Sequence, residues 1–155
     1  MEELRSPKSF LDGLVGETLR YAVKLPDCEL YDFGFGKWKI EQDAYGSCKE
    51  SCTYVLHVIC RFQIIWQGED KHIDTYYEDS SHELFRCVAA QLMGLTVSRV
   101  ALSSKNDLWL DLGRCWIVFA TWDEPDESWR IFLPCSGSPH LVASSVQCGF
   151  DDEEI

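Results

Sequence analysis

Three residues of this sequence, Cys48, Cys52 and His57, have the chemistry of zinc ligands, because thiolate and imidazole both bind zinc strongly. Cys48 and Cys52 stand four positions apart in the polar segment 41–52, which we interpret as an exposed loop. The sequence contains no second cysteine pair at a similar interval, whereas structural zinc sites usually have paired ligands. A small zinc-binding module, or an enzyme of unknown reaction, is therefore kept as an alternative hypothesis.

The other cysteines suggest no nucleophilic pair. A reactive cysteine needs an electropositive setting that lowers its thiol pKa, and Cys60, Cys87 and Cys115 lie instead in apolar segments. In a reducing compartment such cysteines are usually small buried side chains. We therefore predict no catalytic residue, no bound metal and no cofactor, and we do not expect the chain to be an enzyme.

A pair of carboxylates, Asp107 and Asp111, flanks a short apolar stretch. Four positions along a strand place both on the same face, about 13 Å apart. The two carboxylates of a glycosidase lie closer together than this, at about 5 to 9.5 Å. We interpret Asp107 and Asp111 as part of a solvated strand face.

A binding surface is favoured by the segment 122–129, in which four carboxylates stand between two tryptophans. Tryptophan is enriched at interaction hot spots, and clustered carboxylates attract a cationic partner. An ordinary acidic turn is the alternative, and the sequence leaves both open. The predicted partner-binding residues are Trp122, Asp123, Glu124, Asp126, Glu127 and Trp129, together with Trp38 in an exposed Gly-Lys-Trp-Lys segment.

The charge of the whole chain favours the same kind of partner. The 155 residues include 14 Lys and Arg against 26 Asp and Glu, for a net charge of −12. Phosphate groups would repel such a chain, so we expect no nucleic acid and no membrane surface among its partners. A basic protein fits, because opposite charge speeds association. The sequence has no phosphate-binding loop, nucleophile elbow, HExxH or dinucleotide motif.

The length of the chain predicts one globular domain over residues 1–150, followed by an acidic tail at 151–155. The first residues are polar and acidic, unlike a signal peptide, and no apolar run approaches the 18 or so residues that a membrane span needs. We therefore expect a cytoplasmic protein.

The periodicity of the apolar residues predicts the elements that position these groups. Ser6 and Pro7 predict the start of a short helix. A principal helix is predicted at about 81–93, where four apolar residues share one face: Leu84, Phe85, Val88 and Leu92. Strands are predicted at 18–24, 30–36, 53–66, 72–77, 97–102, 108–112, 115–122, 127–133 and 140–146. The fold class is α+β: a mainly antiparallel sheet with one principal amphipathic helix packed on it and a short N-terminal helix.

Four short stretches, 56–62, 107–111, 128–131 and 140–143, resemble in their order a pattern of small bacterial proteins. The pattern is a His-Val-x-Cys strand, an Asp-Leu-x-Leu strand, an acidic-Trp-Arg strand and a final His-Leu-Val strand. Proteins of this kind are similar to the immunity proteins that neutralise polymorphic toxins. The resemblance implies no catalysis, a tight protein partner and, against a cationic nuclease toxin, an acidic binding face.

Three functions follow as hypotheses. The first is a non-catalytic protein-binding domain, in its most specific form an immunity-like inhibitor of a basic toxin domain. The second is the zinc-binding module or enzyme. The third is a subunit of a larger assembly whose edge strands pair with another chain.

In each case we predict that Arg130 pairs with a neighbouring carboxylate, because a guanidinium is hard to leave unpaired in a sheet.

Overall fold

The computed structural model describes residues 6–26, 28, 30–42, 45–68, 73–76, 82–134 and 136–151. Within these residues the chain forms two helices and eleven strands. The helices are α1 (Pro7–Asp12) and α2 (His82–Leu92). The strands are β1 (Leu19–Lys24), β2 (Tyr31–Gln42), β3 (Cys48–Val58), β4 (Arg61–Trp66), β5 (Ile73–Tyr76), β6 (Arg99–Leu102), β7 (Leu108–Asp111), β8 (Cys115–Ala120), β9 (Trp129–Phe132), β10 (His140–Ala143) and β11 (Cys148–Asp151).

The strands divide between two sheets. One sheet has six strands in the order β1-β2-β3-β9-β10-β11, and the other has five in the order β5-β4-β8-β7-β6. Neighbouring strands pair antiparallel in both sheets. The predicted fold class, α+β with mainly antiparallel β-structure, is confirmed. The chain leaves the six-stranded sheet after β3 and returns to it at β9. The strands between these points, β4–β8, are consecutive in the sequence and form the second sheet.

A cluster of aromatic rings joins the two sheets and the principal helix. Phe33 of β2 lies 5.7 Å from Phe62 and 5.4 Å from Phe119, both on the five-stranded sheet. Phe85 of α2 lies 4.8 Å from Tyr31 and 5.8 Å from Phe62. These rings meet edge to face, the geometry that aromatic quadrupoles favour. All five side chains are buried, so helix and sheets share one core.

Both predicted helices are present, with one difference in α2. Ser6 caps α1, its Oγ accepting from the Ser9 amide at 3.1 Å, with proline at the first helical position as expected. In α2, Phe85 and Leu92 are buried as predicted, but Leu84 is 58% exposed. The prediction for Leu84 was wrong because the buried stripe is centred on Phe85, Val88, Ala89 and Leu92, and Leu84 lies about 90° away from it around the helix.

The sequence interpretation of residues 41–66 also needs correction. The polar segment 41–52 is not an exposed loop, because β2 ends at Gln42, β3 begins at Cys48, and Cys52 is buried. The apolar run 53–66 is not a single strand, because the chain changes sheets within it, after β3 and before β4. Apolar periodicity predicted strands but not the point at which they separate.

The C-terminal end of the described chain is also paired. Asp151 belongs to β11 and lies opposite His140 of β10, so the sheet extends one residue into the predicted acidic tail. The remaining tail positions, 152–155, lie outside the described residues. Over the part of the chain that the structure describes, neither helix is long and apolar enough to cross a membrane.

Candidate functional site

A cleft of about 830 Å³ opens where the chain crosses between the two sheets. Ile59 lies on the first crossing, directly after β3, and Trp122 lies on the second, after β8. Leu30 precedes β2 at the same end of the six-stranded sheet. The residues that line this acidic cleft, as we name it, are Cys28, Leu30, Ile59, Trp122, Asp123, Glu124, Asp126 and Glu127.

The lining of the acidic cleft combines apolar side chains with carboxylates. Leu30, Ile59 and Trp122 are half-buried, and a turn of exposed residues carries three carboxylates: Asp123, Glu124 and Asp126. Among the described residues that line the cleft, none is a lysine or an arginine. Such a lining suits a ligand with an apolar stem and a cationic end, which is the make-up of a lysine or arginine side chain.

The structure brings together five of the seven predicted partner-binding residues, namely Trp122, Asp123, Glu124, Asp126 and Glu127. Their contact with a partner stays a prediction. Trp38 lies elsewhere, on β2, and is 52% exposed as predicted.

Trp129 does not belong to a binding surface, and its prediction is corrected. Its side chain is fully buried, and its indole Nε1 donates to the carbonyl of Asn106 at 3.0 Å. As the first residue of β9 it pairs with Val58 and Ala143, both also buried, so its side chain faces the core. The acidic run in the sequence therefore has one tryptophan at the surface and one inside.

Ser128, also buried, holds the two crossings together. Its carbonyl accepts from the amides of Ile59 at 3.0 Å and Cys60 at 3.3 Å, and its own amide donates to Ala143 at 2.8 Å. Its Oγ accepts from the amide of Trp122 at 3.0 Å. One residue thus fixes the backbone at both sides of the acidic cleft.

Glu127 differs from the other carboxylates of the cleft because it is bound to Arg130. The Nε of Arg130 donates to both carboxylate oxygens of Glu127, at 3.0 and 3.2 Å, and its Nη2 also donates to Glu127. The Arg130 side chain is only 11% exposed. The predicted pairing of Arg130 with a carboxylate is confirmed, and the charge of Glu127 is already balanced within the fold.

Arg130 is also part of a line of polar groups that the sequence analysis missed. Asp32, His57 and Arg130 align across β2, β3 and β9, on the face opposite the core. Asp32 Oδ1 accepts from the Tyr21 hydroxyl at 3.0 Å and lies 3.8 Å from His57 Nε2. At the other end, Arg130 Nη1 lies 3.0 Å from His140 Nδ1. We name these five residues the polar row.

Two members of the polar row have shifted pKa values. Burial raises the pKa of the Tyr21 hydroxyl, and the neighbouring Asp32 carboxylate raises it further. Burial lowers the pKa of His140 below its ordinary value, and the positive charge of Arg130 lowers it further. Both effects favour the neutral form of His140, in which Nδ1 can accept a hydrogen bond from Arg130.

The described cysteines include several unreactive thiols. Burial raises the pKa of Cys60 and of Cys115 to about 12, and that of Cys148 to about 11, so all three stay protonated at neutral pH. Cys60 and Cys115 are buried as predicted. Cys87 is exposed instead, because α2 turns Phe85 and its neighbours to the core and Cys87 to the other side.

The three candidate zinc ligands do not converge. Cys48, Cys52 and His57 all lie on β3, where four residues of extended chain separate the backbone positions of the two cysteines by about 13 Å. His57 is an odd number of positions from Cys52, which places the two on opposite faces of the strand. A shared tetrahedral zinc needs ligand atoms within about 2.3 Å of the metal. Within the described part of the chain, no group of three potential metal ligands is found.

Asp107 and Asp111 were wrongly interpreted as a solvated strand face. Asp111 is buried, and it accepts from the Gly113 amide at 2.9 Å and from Arg99 Nε at 3.3 Å. Asp107 Oδ1 accepts from the amide of Thr121 at 2.8 Å. Both carboxylates stabilise the ends of β7, so a structural role explains their spacing and no catalytic role is needed.

Comparison with known proteins identifies no relative of this chain. No family model, no curated protein and no solved structure matches this chain. The acidic cleft and the polar row must therefore be interpreted from their own chemistry.

We predict that Glu127→Gln lowers the free energy of unfolding by about 1–3 kcal/mol, because it leaves the nearly buried Arg130 without its counter-charge. Urea denaturation at neutral pH, followed by tryptophan fluorescence, measures the change. Glu124→Gln, in the same turn, is the matched control and should change stability by less than about 0.5 kcal/mol. Equal, small effects of the two substitutions would contradict a structural role for Glu127.

We predict a pH dependence of stability that comes from His140. Its folded-state pKa lies below the ordinary 6.5, so the unfolded chain binds the proton more tightly. The contribution of His140 to the free energy of unfolding is therefore complete above about pH 6.5, and it is lost as the pH falls below this value. The difference in unfolding free energy between the wild type and His140→Gln, measured at several pH values, should shrink on acidification. Parallel curves for the two proteins would show that the prediction is wrong.

Proposed function

We propose that this chain is a non-catalytic protein-binding domain whose acidic cleft binds a basic segment of a partner protein. The observation that carries the proposal is the meeting of Trp122 with three exposed carboxylates in one cleft whose described lining has no cation. The apolar part of the lining would cover the stem of a bound lysine or arginine. The indole of Trp122 would add a cation–π contact, and the carboxylates would attract the charge.

The backbone around the cleft supports a preformed site. Ser128 accepts hydrogen bonds from the amides of both Ile59 and Trp122, and the Glu127–Arg130 pair holds the end of the acidic turn in place. A binding surface that is ordered before the partner arrives loses less entropy on association.

The resemblance to immunity proteins gives the proposal a narrower form, in which the partner is a basic toxin domain and the chain inhibits it by occupying its surface. The reducing cytoplasm is the proposed compartment, because thiols such as Cys60 and Cys115 persist there without oxidation. Nucleic acids and anionic membranes are not proposed as partners, since a net charge of −12 repels them.

A binding experiment with a simple cationic probe tests the proposal. We expect a fluorescently labelled peptide of alternating lysine and leucine to bind the protein, measured by anisotropy, and to be released as salt is added. Asp123→Asn together with Asp126→Asn should weaken binding about tenfold or more, because two close charge pairs are lost.

The matched control removes the same charge elsewhere. Asp12→Asn together with Glu83→Gln removes the same amount of negative charge, at exposed positions far along the chain from the cleft. This variant should bind the peptide within about twofold of the wild type. If both double variants weaken binding to the same extent, the peptide responds to net charge alone and the acidic cleft is not its site.

A further inference from the structure

The wall of the acidic cleft is connected to a histidine through one nearly buried arginine. Glu127 lines the cleft, and Arg130 Nε donates to both of its carboxylate oxygens. On its other side, the same guanidinium places Nη1 3.0 Å from Nδ1 of His140. Because the Arg130 side chain is only 11% exposed, solvent screens these contacts weakly. The three side chains form a continuous line of contacts from the cleft to His140.

His140 is the member of this line whose charge changes near neutral pH. On β9, Arg130 contacts its Nδ1, and the ring of Phe132 stacks on the imidazole with centroids 4.5 Å apart. On β11, Asp151 lies directly opposite His140. Among the described residues, the charges that act on His140 are therefore the cation of Arg130 and the carboxylates of Asp151 and Glu127.

Protonation of His140 changes the contacts of Arg130. A neutral imidazole with an unprotonated Nδ1 accepts the hydrogen bond of Arg130, whereas an imidazolium has a proton on both nitrogens and accepts none. Two cations would then face each other at contact distance. Their repulsion drives the guanidinium toward Glu127, and attraction draws the imidazolium toward Asp151.

Each of these changes makes the acidic cleft less attractive to a cation. One positive charge is added behind the cleft wall, and the carboxylate of Glu127 is neutralised more completely. Burial and the charge of Arg130 lower the pKa of His140 below its ordinary 6.5. The added charge is therefore absent at neutral pH and appears as the pH falls below this value.

We propose that His140 is a proton switch for the acidic cleft, and that its protonation weakens the binding of a basic segment. The inference rests on the proposed function, because it describes how binding at that same cleft is regulated. Coupling between two sites is reciprocal, so a bound basic segment must also make His140 harder to protonate. A partner that is held at neutral pH is released more readily in a weakly acidic medium.

The affinity for the lysine–leucine peptide, measured by anisotropy at about pH 7.5 and 5.5 and constant ionic strength, tests the inference. His140→Gln keeps a polar side chain that does not titrate, and the other titrating groups are common to both proteins. On acidification, the wild-type affinity should fall about two- to fivefold more than that of His140→Gln, because only the wild type gains the charge. Tryptophan fluorescence at each pH verifies that both proteins are folded.

The matched control removes the other histidine of the polar row. His57 Nε2 faces Asp32 at 3.8 Å, and the ring of Phe132 stands between His57 and His140. His57→Gln should therefore retain the larger part of the wild-type decrease in affinity.

A second measurement needs no variant. The imidazole of His140 is titrated by NMR in isotope-labelled wild type, with and without saturating peptide. If protonation weakens binding two- to fivefold, reciprocity requires the bound peptide to lower the pKa of His140 by about 0.3 to 0.7.

The results separate this inference from the proposed function. Peptide that binds in the cleft with the same pH dependence in wild type and His140→Gln, or that leaves the pKa of His140 unchanged, would overturn the switch and leave the proposed function intact. A decrease that is abolished by His57→Gln and retained by His140→Gln would place the switch on the other histidine and also overturn the inference. Peptide that binds at neither pH would overturn the two together.

Discussion

The structure depends on the hydrogen bonds of one buried serine at the place where the chain changes sheets. A chain that forms two sheets must cross between them. At each crossing, backbone N–H and C=O groups leave the strand pairing and need other hydrogen-bond partners. The carbonyl of Ser128 accepts from the first crossing and its hydroxyl from the second, while its amide donates to β10. The acidic cleft opens at the same place, between Ile59 of the first crossing and Trp122 of the second.

The charges near this point have two different roles. Glu127 and Arg130 neutralise each other. Arg130 also belongs to the polar row, which runs across the outer face of β2, β3 and β9. Asp123, Glu124 and Asp126 lie on the solvent side of the same turn. A run that is uniformly acidic in the sequence thus separates into one structural carboxylate and three that face outward.

The sequence was sufficient for features that depend on neighbouring residues. It predicted the Ser6 cap, the principal helix, the fold class and the pairing of Arg130, because each follows from local spacing or from one side chain's chemistry. It failed where the outcome depended on distant residues. Trp129 resembles Trp122 in the sequence, and only the pairing of β9 with β3 and β10 buries it. The polar row requires the register of three strands, and the cleft requires both crossings, neither of which can be obtained from periodicity.

The most direct test of the central claim is a map of amide chemical-shift changes as the lysine–leucine peptide is added to isotope-labelled protein. We expect the changes to concentrate at Leu30, Ile59 and residues 122–127, which surround the acidic cleft. Changes centred instead on the outer face of the five-stranded sheet, where Trp109 and Trp116 lie 6.0 Å apart, would contradict the account.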